Sequence, residues 1–513
     1  MKKMLCLLLA LLLVLSVTPV LAEDENLVYQ SNFTFSADGW YGRGGSVSIK
    51  SGALYTEGRQ SDWNSPGRDF DLVPGGKYQF SVEVFQDEMD SANFIVSVAH
   101  TADGTESYEN LARGAVNKGE WVKLSGEYTA GAYSRFVLYV ETMNAPQLSY
   151  TIRNFILTAP DGIPEPLPTE APMELETAEN LPSLSAVYAG QFDFGCAMPA
   201  FALFNKPLTK LALEQFNIIT PENELKPDSV LDVTASKKLA KDDETQVAVH
   251  FDAAKSLLSF AKENGLKMHG HVLVWHSQTP EAFFHESYDA KNPLVSREVM
   301  LRRMENYIKG VMNYMEANYP GVIVSWDVVN EAIDDGSNWL RKSNWYNVVG
   351  EDFVARAFEY ARKYAPEGTL LYYNDYNTAM PGKLKGITKL LESLIAEGNI
   401  DGYGFQMHHS VGSPSNEAIN QAVEKIAALG LRLRVSELDI GVDSNSESSF
   451  QKQADKYENV MRILLSHSDQ FEAVQVWGLT DNMSWRKANH PLLFDSQLRA
   501  KPAFWALVNL MAE

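Results

Sequence analysis

The 513-residue sequence has few cysteines, a deficit of positive charge and no long apolar run beyond its start. Its two cysteines are Cys6 and Cys196, and Cys6 lies in a predicted leader, so we expect no intramolecular disulfide after processing. Lys and Arg number 44 against 66 Asp and Glu, a net charge of −22. This balance argues against a nucleic-acid partner, because phosphate binding needs clustered cations.

The first 22 residues have the pattern of a secretory signal peptide. Lys2 and Lys3 form a positive start, residues 5–17 form an apolar core, and the Val-Leu-Ala at 20–22 is a small-residue cleavage site. A membrane anchor is the alternative interpretation, but the apolar core is short for a span. We therefore expect a secreted, extracellular protein with no membrane association after cleavage.

Proline and turn signals divide the remainder into three regions. Residues 159–184 contain six prolines with Glu and Thr between them, which predicts a semi-rigid, extended linker. Residues 24–158 show short runs of alternating apolar and polar residues, separated by turn signals, and no convincing helix. That pattern predicts an antiparallel β-sandwich.

Residues 185–513 alternate strand-like apolar runs with amphipathic helical patterns, such as those at 251–264, 297–319, 383–397 and 417–429. We predict eight strands, at 192–198, 218–221, 267–274, 322–330, 370–374, 403–408, 431–437 and 472–477. Eight β/α alternations predict an α/β fold, the (β/α)8 TIM barrel, in which chemistry occurs at the C-terminal ends of the strands.

Two glutamates follow β-branched runs in this region. Glu331 lies in Trp-Asp-Val-Val-Asn-Glu-Ala at 326–332, and Glu437 lies in Ser-Glu-Leu-Asp-Ile at 436–440. Each is predicted to project from the end of a buried strand. Cleavage of an acetal needs one carboxyl group that donates a proton and one that is ionised. Trp, His, Asn and Gln residues at the other strand ends are typical of a sugar-binding cleft.

These motifs resemble glycoside hydrolase family 10, the retaining endo-β-1,4-xylanases, over nearly all of residues 185–513. The resemblance implies that Glu331 is the general acid/base and Glu437 the nucleophile. It also implies that Asn330 donates to the 2-hydroxyl of the attacked sugar, that His408 orients Glu437, and that Asp439 fixes His408.

The same resemblance implies a set of substrate-binding residues, three of which keep the family's His-x-x-x-Trp-x-x-Gln order. They are Glu222, Asn223, Lys226, His271, Trp275, Gln278, Gln406, Trp477 and Trp485. Trp485 over the cleft is expected to crowd the hydroxymethyl group of glucose, which favours xylan over cellulose.

Other side chains in this region leave alternatives open. His269 and His271, with His276 and His408 nearby, could suggest a metal pair. We expect no metal and no cofactor, since sugar hydroxyls are a simpler use for these rings, and we expect His269 alone to be a packed core residue. Two tryptophans fit either a leaving-group contact or core packing, namely Trp339 and Trp345.

Residues 26–158 resemble a family-22 carbohydrate-binding module through segments such as Asp-Gly-Trp-Tyr-Gly-Arg-Gly at 38–44 and Gly-Glu-Trp at 119–121. The resemblance implies that xylan is gripped by Arg43, Trp63, Tyr108, Tyr139 and Glu141. We expect Trp40, Trp121 and Tyr128 to be sandwich core. Arg153-Asn154 stands where the family often has an acidic residue, so a structural calcium ion is not expected.

Together these features predict a retaining endo-β-1,4-xylanase that acts by double displacement and carries a xylan-binding module. Its expected partners are xylan and xylo-oligosaccharides, and we expect a monomer. Two alternatives remain open. One is a non-catalytic xylan-binding protein with an inactive barrel, and the other is a broad β-1,4-glycanase that accepts cellulosic or mixed-linkage glucan.

Overall fold

The structure is a computed structural model that describes residues 26–102, 105–133, 135–162, 171–175, 180–337 and 339–512. The predicted signal peptide at 1–22 lies outside the described residues. The chain forms two compact units, a front unit drawn from residues before Glu170 and a barrel unit that contains Glu170–Glu513.

The front unit consists of two antiparallel sheets. Its strands are β1 (Leu27–Ser31), β2 (Tyr41–Arg43), β3 (Ser46–Lys50), β4 (Ala53–Glu57), β5 (Ser65–Phe70), β6 (Lys77–Phe85), β7 (Ser91–Ala102), β8 (Thr105–Asn117), β9 (Trp121–Thr129), β10 (Arg135–Met143) and β11 (Tyr150–Thr158). One sheet has the order β3-β4-β11-β6-β9, with β1 paired to β11, and the other has the order β2-β5-β10-β7-β8. The predicted β-sandwich is confirmed.

Strand alternation decides which aromatic residues enter the sandwich core. Trp40 and Tyr128 are buried there, as expected from the sequence. The expectation for Trp121 is wrong. Leu124 and Tyr128 of β9 face the core, and Trp121, an odd number of residues away from each, projects from the other face of the strand. Its ring instead packs against Phe85, with ring centroids 5.2 Å apart.

The barrel unit contains ten strand segments and twelve α-helices among its described residues. The strands are β12 (Asp193–Met198), β13 (Ile218–Pro221), β14 (Lys267–Gly270), β15 (Val274–Trp275), β16 (Ile323–Asn330), β17 (Leu370–Asp375), β18 (Gly402–Phe405), β19 (His408–Ser410), β20 (Arg432–Gly441) and β21 (Phe471–Val476). The helices are α1 (Leu184–Val187), α2 (Lys206–Gln215), α3 (Pro227–Val230), α4 (Val233–Leu239), α5 (Lys255–Asn264), α6 (Arg297–Asn318), α7 (Asn344–Val349), α8 (Phe353–Tyr364), α9 (Pro381–Glu397), α10 (Asn416–Ala427), α11 (Glu447–Leu465) and α12 (Pro502–Leu510).

Parallel pairing closes the barrel in the order β12-β13-β14-β16-β17-β18-β20-β21, with β21 bonded back to β12. The short strands β15 and β19 extend the wall beside β16 and β20. The predicted (β/α)8 barrel is confirmed. One predicted strand, 403–408, is interrupted because Met407 has a φ of 58°, outside the range of extended backbone.

Local signals fix the ends of the helices around the barrel. The Ser296 hydroxyl accepts a hydrogen bond from the Val299 amide at 3.3 Å and begins α6. Helix α5 is capped at its C-terminus by Gly265, which adopts a φ of 69° at little energetic cost because it has no Cβ. None of the helices described in the structure combines the length and apolarity that crossing a membrane requires.

Part of the predicted linker is bonded to the barrel unit. The Met173 amide donates to the Asn445 carbonyl oxygen at 2.8 Å, and Arg499 Nη1 donates to the Leu175 carbonyl oxygen at 3.1 Å. The single cysteine among the described residues, Cys196, is buried in β12 with no disulfide partner.

Candidate active site

Glu331 follows β16 directly, at the C-terminal edge of the barrel. Its φ of 55° is unusual for a residue with a side chain and turns the carboxyl group away from the strand direction. The Glu331 carboxylate accepts from Trp275 Nε1 at 3.0 Å, from Gln406 Nε2 at 2.9 Å and from Asn330 Nδ2 at 3.2 Å. Three donors therefore hold one carboxyl group in a fixed position.

Glu437 lies within β20 rather than at its end, because that strand continues to Gly441. Its side chain is 6% exposed. Asn374 Nδ2 donates to Glu437 Oε1 at 2.8 Å, and His408 Nε2 lies 3.1 Å from Glu437 Oε2. Each of its oxygens thus has its own partner.

Three side-chain amides connect the two carboxyl groups. Gln406 Nε2 bonds both Glu331 Oε1 and Asn330 Oδ1, the latter at 3.1 Å. Asn374 Nδ2 bonds Asn330 Oδ1 at 3.1 Å and Glu437 Oε1. The amides form a continuous path from Glu331 to Glu437, so neither carboxyl can turn without disturbing the other.

His408 carries the charge balance behind Glu437. Its Nδ1 lies 2.8 Å from Asp439 Oδ2. Burial would lower the pKa of His408, but Asp439 first and Glu437 second outweigh burial and raise it to about 10. Asp439 is fully buried, yet the cations of His408 and Arg486 hold its pKa below the usual value against that burial. His408 is therefore a cation at neutral pH between two carboxylates.

The wall next to Glu437 contains a buried lysine. Lys226 Nζ donates to Asn223 Oδ1 at 2.9 Å and to Gln278 Oε1 at 3.0 Å. Burial lowers the pKa of Lys226, partly offset by Glu437 and Glu222, and burial raises the pKa of Glu222. These are polar groups withdrawn from water, which a ligand rich in hydroxyls could satisfy.

His271 is oriented from below by a buried aspartate. Its Nδ1 lies 2.8 Å from Asp327 Oδ2, and His269 Nε2 lies 3.0 Å from the same oxygen. His269 is 1% exposed, which confirms the expectation of a core residue. Burial and then Arg434 lower the pKa of His269 to about 4, so it is neutral. Within the described part of the chain, no group of three or more His, Cys, Asp and Glu side chains is arranged to hold a metal ion.

Tryptophan rings form the apolar surfaces of the site. Trp477 is buried and meets His271 edge to face at 5.5 Å, whereas Trp485 is 63% exposed and meets His408 at 5.1 Å. Trp485 Nε1 also donates to Asp439 Oδ2 at 3.1 Å. The Trp485 ring is thus fixed at its polar edge and open on its face.

All these groups surround one cavity of 680 Å³. Every residue predicted for this site borders it except Asp439, which lies behind His408. Its lining consists of Glu222, Asn223, Lys226, His271, Trp275, Gln278, Asn330, Glu331, Tyr376, Asn377, Gln406, His408, Glu437, Trp477, Trp485 and Arg486.

Sequence reasoning missed several residues of this site. Asn374, which joins Asn330 to Glu437, ends the predicted fifth strand, and that position was the available signal. Tyr376 and Asn377 follow it in the same loop, and Arg486 follows Trp485. Each of them stands at or just beyond a strand end or a motif residue.

Trp339 and Trp345, for which the sequence left two interpretations, have different surroundings. Trp345 is 1% exposed, packs edge to face on Phe284 at 4.9 Å and donates to the Trp275 carbonyl oxygen at 2.9 Å. It therefore supports Trp275 from behind. Trp339 is half-buried, with Lys389 Nζ 3.6 Å from its ring centroid.

A second polar surface occupies the outer face of the five-stranded sheet in the front unit. The Arg43 guanidinium lies 3.8 Å from the Tyr139 ring centroid, and the bare Cα of Gly67 on the intervening strand leaves room for that contact. Ser97 Oγ lies 2.6 Å from Glu141 Oε1. Burial raises the pKa of Glu141, with Arg43 opposing that shift.

The other two predicted residues border the same face. Trp63 is 64% exposed in the loop before β5, and Ser65 of that strand pairs with Arg43. Tyr108 of β8 is 61% exposed, and both Arg43 and Tyr139 influence its pKa, which a hydrogen bond to Glu106 and burial raise to about 12. Arg43 Nη1 is buried and has no hydrogen-bond partner among the described residues.

Two family models match the chain. Residues 183–510 match the model described as glycosyl hydrolase family 10, and residues 25–147 match a carbohydrate-binding domain. Endo-1,4-beta-xylanase A of Thermotoga neapolitana is 33% identical over 94% of this chain and 46% of its own length. Exoglucanase XynX of Acetivibrio thermocellus is 30% identical over 95% of this chain and 46% of its own. The chain spans about half the length of these curated relatives.

A solved structure resembles both units. It contains the CBM22-1 and GH10 modules of endo-1,4-beta-D-xylanase 10B from Clostridium thermocellum in complex with xylohexaose. The TM-score is 0.60 at 29% identity, covering 95% of this chain and 97% of that one. The family 10 model covers more than half of the sequence and includes both linked carboxyl groups, so this chain belongs to glycosyl hydrolase family 10.

Proposed function

We propose that the protein is a retaining endo-β-1,4-xylanase that hydrolyses internal bonds of xylan by double displacement. The observation that carries the proposal is the amide path that links Glu331 and Glu437 in one cavity. Its similarity to endo-1,4-beta-xylanases supports xylan as the substrate class.

In the first step Glu331 donates its proton to the oxygen of the leaving sugar as the glycosidic C–O bond breaks. Glu437 attacks the anomeric carbon and forms a covalent ester. The transition state resembles an oxocarbenium ion, which the Glu437 carboxylate stabilises by charge. Asn374 and His408 hold the two oxygens of Glu437, so its orientation is set before the sugar binds.

In the second step Glu331, now ionised, takes a proton from water. That water attacks the anomeric carbon, the ester bond breaks, and Glu437 regains its charge. While Glu437 is esterified, its negative charge no longer opposes deprotonation of Glu331. One carboxyl group can therefore serve as acid and then as base, and the product keeps the anomeric configuration of the substrate.

The remaining cavity residues have binding roles in this proposal. Asn330 donates to the 2-hydroxyl of the attacked sugar, and Lys226 and Asn223 bond the next sugar toward the non-reducing end. The rest of the wall on that side is formed by Glu222, His271, Trp275, Gln278, Gln406, Trp477 and Trp485. The open face of Trp485 crowds the hydroxymethyl group that glucose has and xylose lacks.

The front unit binds xylan in this proposal. The Tyr139, Tyr108 and Trp63 rings stack on sugar faces, while Arg43 and Glu141 bond hydroxyls. Arg43 Nη1, which is buried and lacks a hydrogen-bond partner in the described part of the chain, supports this role, because a ligand hydroxyl could accept its hydrogen bond. Binding to the polymer would raise the effective concentration of substrate for the same chain.

The test is release of reducing ends from xylan, together with NMR of the first-formed product. We expect hydrolysis with retained configuration, a loss of activity in Glu437→Ala, and no change in Glu392→Ala, an exposed control on α9. An inverted product would contradict the double displacement. Full activity of Glu437→Ala would contradict the proposed nucleophile, and no hydrolysis by the unaltered protein would favour a non-catalytic xylan-binding role.

A broad β-1,4-glycanase is a second candidate, because one relative carries the name exoglucanase. Activity on carboxymethyl-cellulose comparable with that on xylan would support it and would contradict crowding by Trp485. In the xylan-specific case, we expect Trp485→Ala to raise the activity on cellulosic substrate relative to that on xylan.

We also propose that the chain is exported, acts as a monomer and needs no cofactor. The leader pattern at 1–22 supports export. The carboxyl pair can supply both the proton and the nucleophile, which supports hydrolysis without an added group. Activity in the culture medium, a monomeric mass by light scattering and unchanged activity in EDTA are the expected results.

A further inference from the structure

Two phenylalanines are exposed on one short 3₁₀ helix at the catalytic edge of the barrel. This helix, Ala200–Phe204, follows β12 at its C-terminal end. Phe201 is 63% exposed and Phe204 is 90% exposed, whereas Ala202 between them is buried. Side chains three residues apart eclipse on a 3₁₀ helix, so the two rings project from the same side.

The helix is attached to the wall of the cavity. Glu224 Oε1 accepts a hydrogen bond from the Ala200 amide at 2.5 Å, and Glu224 Oε2 accepts from the Asn223 amide at 3.1 Å. Asn223 itself lines the cavity and bonds Lys226. The helix that carries Phe201 and Phe204, a pair that we call the Phe patch, therefore adjoins the wall formed by Glu222 and Asn223, and neither phenylalanine lines the cavity itself.

We propose that the Phe patch binds additional xylose units of the same xylan chain, beyond the sugar held by Asn223 and Lys226. This inference rests on the proposed function and extends its cleft toward the non-reducing end. Exposed phenylalanine offers no hydrogen-bonding group, so the ligand must present apolar area, and the C–H face of a xylose ring does so. Continuity with the cleft is what selects the glycan as the occupant.

The test compares a long and a short substrate in the full chain. We expect the double variant Phe201→Ala/Phe204→Ala to lower kcat/KM for xylohexaose by about fivefold, the effect of one to two lost ring contacts. p-Nitrophenyl β-xylobioside is too short to reach the patch, so its kcat/KM should not change. Phe35→Ala, which removes a 95% exposed ring from the front unit, is the matched control and should match the unaltered protein on both substrates.

Restoring a ring separates stacking from other causes. Phe204→Trp should keep the full rate on xylohexaose, because it retains an aromatic face. Equal kinetics of the double variant and the unaltered protein on both substrates would overturn the inference. So would an equal loss on both substrates with a lower melting temperature, or a change in molar mass by light scattering, which would assign the rings to packing or self-association.

If the proposed function is wrong, the kinetic result differs from the outcomes above. In that case the unaltered protein hydrolyses neither substrate. Calorimetric binding of xylohexaose to the double variant and to the unaltered protein then still tests the patch, with weaker binding to the variant expected and equal binding contradicting it.

Discussion

The barrel cleft and the outer face of the front sheet use similar side chains for different purposes. Both present a carboxylate, a cation and aromatic rings. In the barrel, Glu331 and Glu437 are linked through three amides in one cavity, while on the sheet Glu141 is bonded to Ser97 and no second carboxylate appears among the hydrogen-bond partners described for it. A second, positioned carboxyl group is what adds bond cleavage to sugar binding.

The architecture explains this difference. Parallel strands of a closed barrel end at one mouth, so residues in or just after β16, β17, β18 and β20 converge on one cavity. Neighbouring strands of an open sheet instead present side chains side by side, about 4.8 Å apart, along a surface. A convergent site suits chemistry at one atom, and a spread site suits contact along a polymer.

The largest expected effect is loss of the proton donor in the barrel. We expect Glu331→Gln to lower kcat on xylan by about 10³-fold, since general acid–base catalysis contributes on that scale. An aryl xylobioside with a good leaving group needs little protonation, so its first step should be much less affected. Stopped-flow measurement should then show a burst of phenolate followed by slow turnover.

Glu141→Gln on the front sheet is the matched control for that change. It removes the same charge from the other carboxylate surface, and we expect no change in kcat on short, soluble xylo-oligosaccharides. A comparable loss of kcat in Glu141→Gln would break the distinction between a cleaving site and a binding site. So would a Glu331→Gln protein that cleaves xylan at the original rate.

A smaller effect is expected from the charge behind Glu437. Asp439→Asn removes the main group that raises the pKa of His408, and a misplaced His408 can no longer orient Glu437. We expect kcat to fall by about 10²-fold, the scale of small misplacements in an active site. Asp443→Asn, an exposed change in the following loop, is the control and should leave kcat unchanged.

The pH dependence of the melting temperature tests the raised pKa of His408 independently of kinetics. The pKa of His408 is about 10 in the folded chain, above its usual 6.5, so its contribution to stability is complete below pH 6.5 and is lost as pH rises through about 10. The melting temperatures of the unaltered protein and of Asp439→Asn should therefore converge at high pH. A difference in melting temperature that stays constant from pH 7 to above pH 10 would contradict this assignment.

Adjacent histidines provide a further check within the barrel. Burial lowers the pKa of His409 to about 3, with Lys456 acting in the same direction, while that of His408 is raised to about 10. Ring NMR signals of both should stay constant between pH 5 and 8, one as imidazolium and one as imidazole. Titration of either ring in that range would contradict the described surroundings.

On the front sheet the effects concern affinity alone. We expect Trp63→Ala to weaken binding of soluble xylan by about tenfold, the scale of one lost aromatic contact. Trp121→Ala is the matched control, because the Trp121 ring packs on Phe85 on the outer face of the other sheet. Calorimetry should separate the two, and equal loss in both variants with an unchanged melting temperature would contradict the assigned binding face.

The sequence was sufficient for the fold and for most of the residues that line the cavity, for reasons visible in particular elements. Barrel strands are buried on both sides and appear as apolar runs, so β13 was predicted at its observed bounds. Motif residues at strand ends meet because the strands are parallel. This is why Lys226, Gln278 and Glu437 border one cavity despite their distance in sequence.

The remainder depends on contacts that no local pattern encodes. Asn374 acts by bonding both Asn330 and Glu437, and its partners come from two other strands. Trp121 faces outward because of strand parity, which outweighs the tendency of tryptophan to be buried. The Phe patch is attached to the wall of the cleft through Glu224, whose bonds to the Ala200 and Asn223 amides no local pattern predicts.

The smallest predicted effect concerns the space under Arg43. A Cβ added at Gly67 would lie 2.6 Å from Arg43 Cδ and 3.3 Å from Tyr139 Cβ, so the flexible arginine has to move off the ring. We expect Gly67→Ala to weaken xylan binding by about threefold, through one displaced rotamer, with kcat on short oligosaccharides unchanged. The control is Ser48→Ala, in β3 of the other sheet, which should leave the affinity for xylan unchanged. Gly52→Ala is less suitable as a control, because the φ of 74° at Gly52 would add backbone strain. Unchanged affinity in Gly67→Ala would mean that the Arg43–Tyr139 contact is not part of the binding surface, and the comparison of the two sites would then rest on Glu141 and the exposed rings.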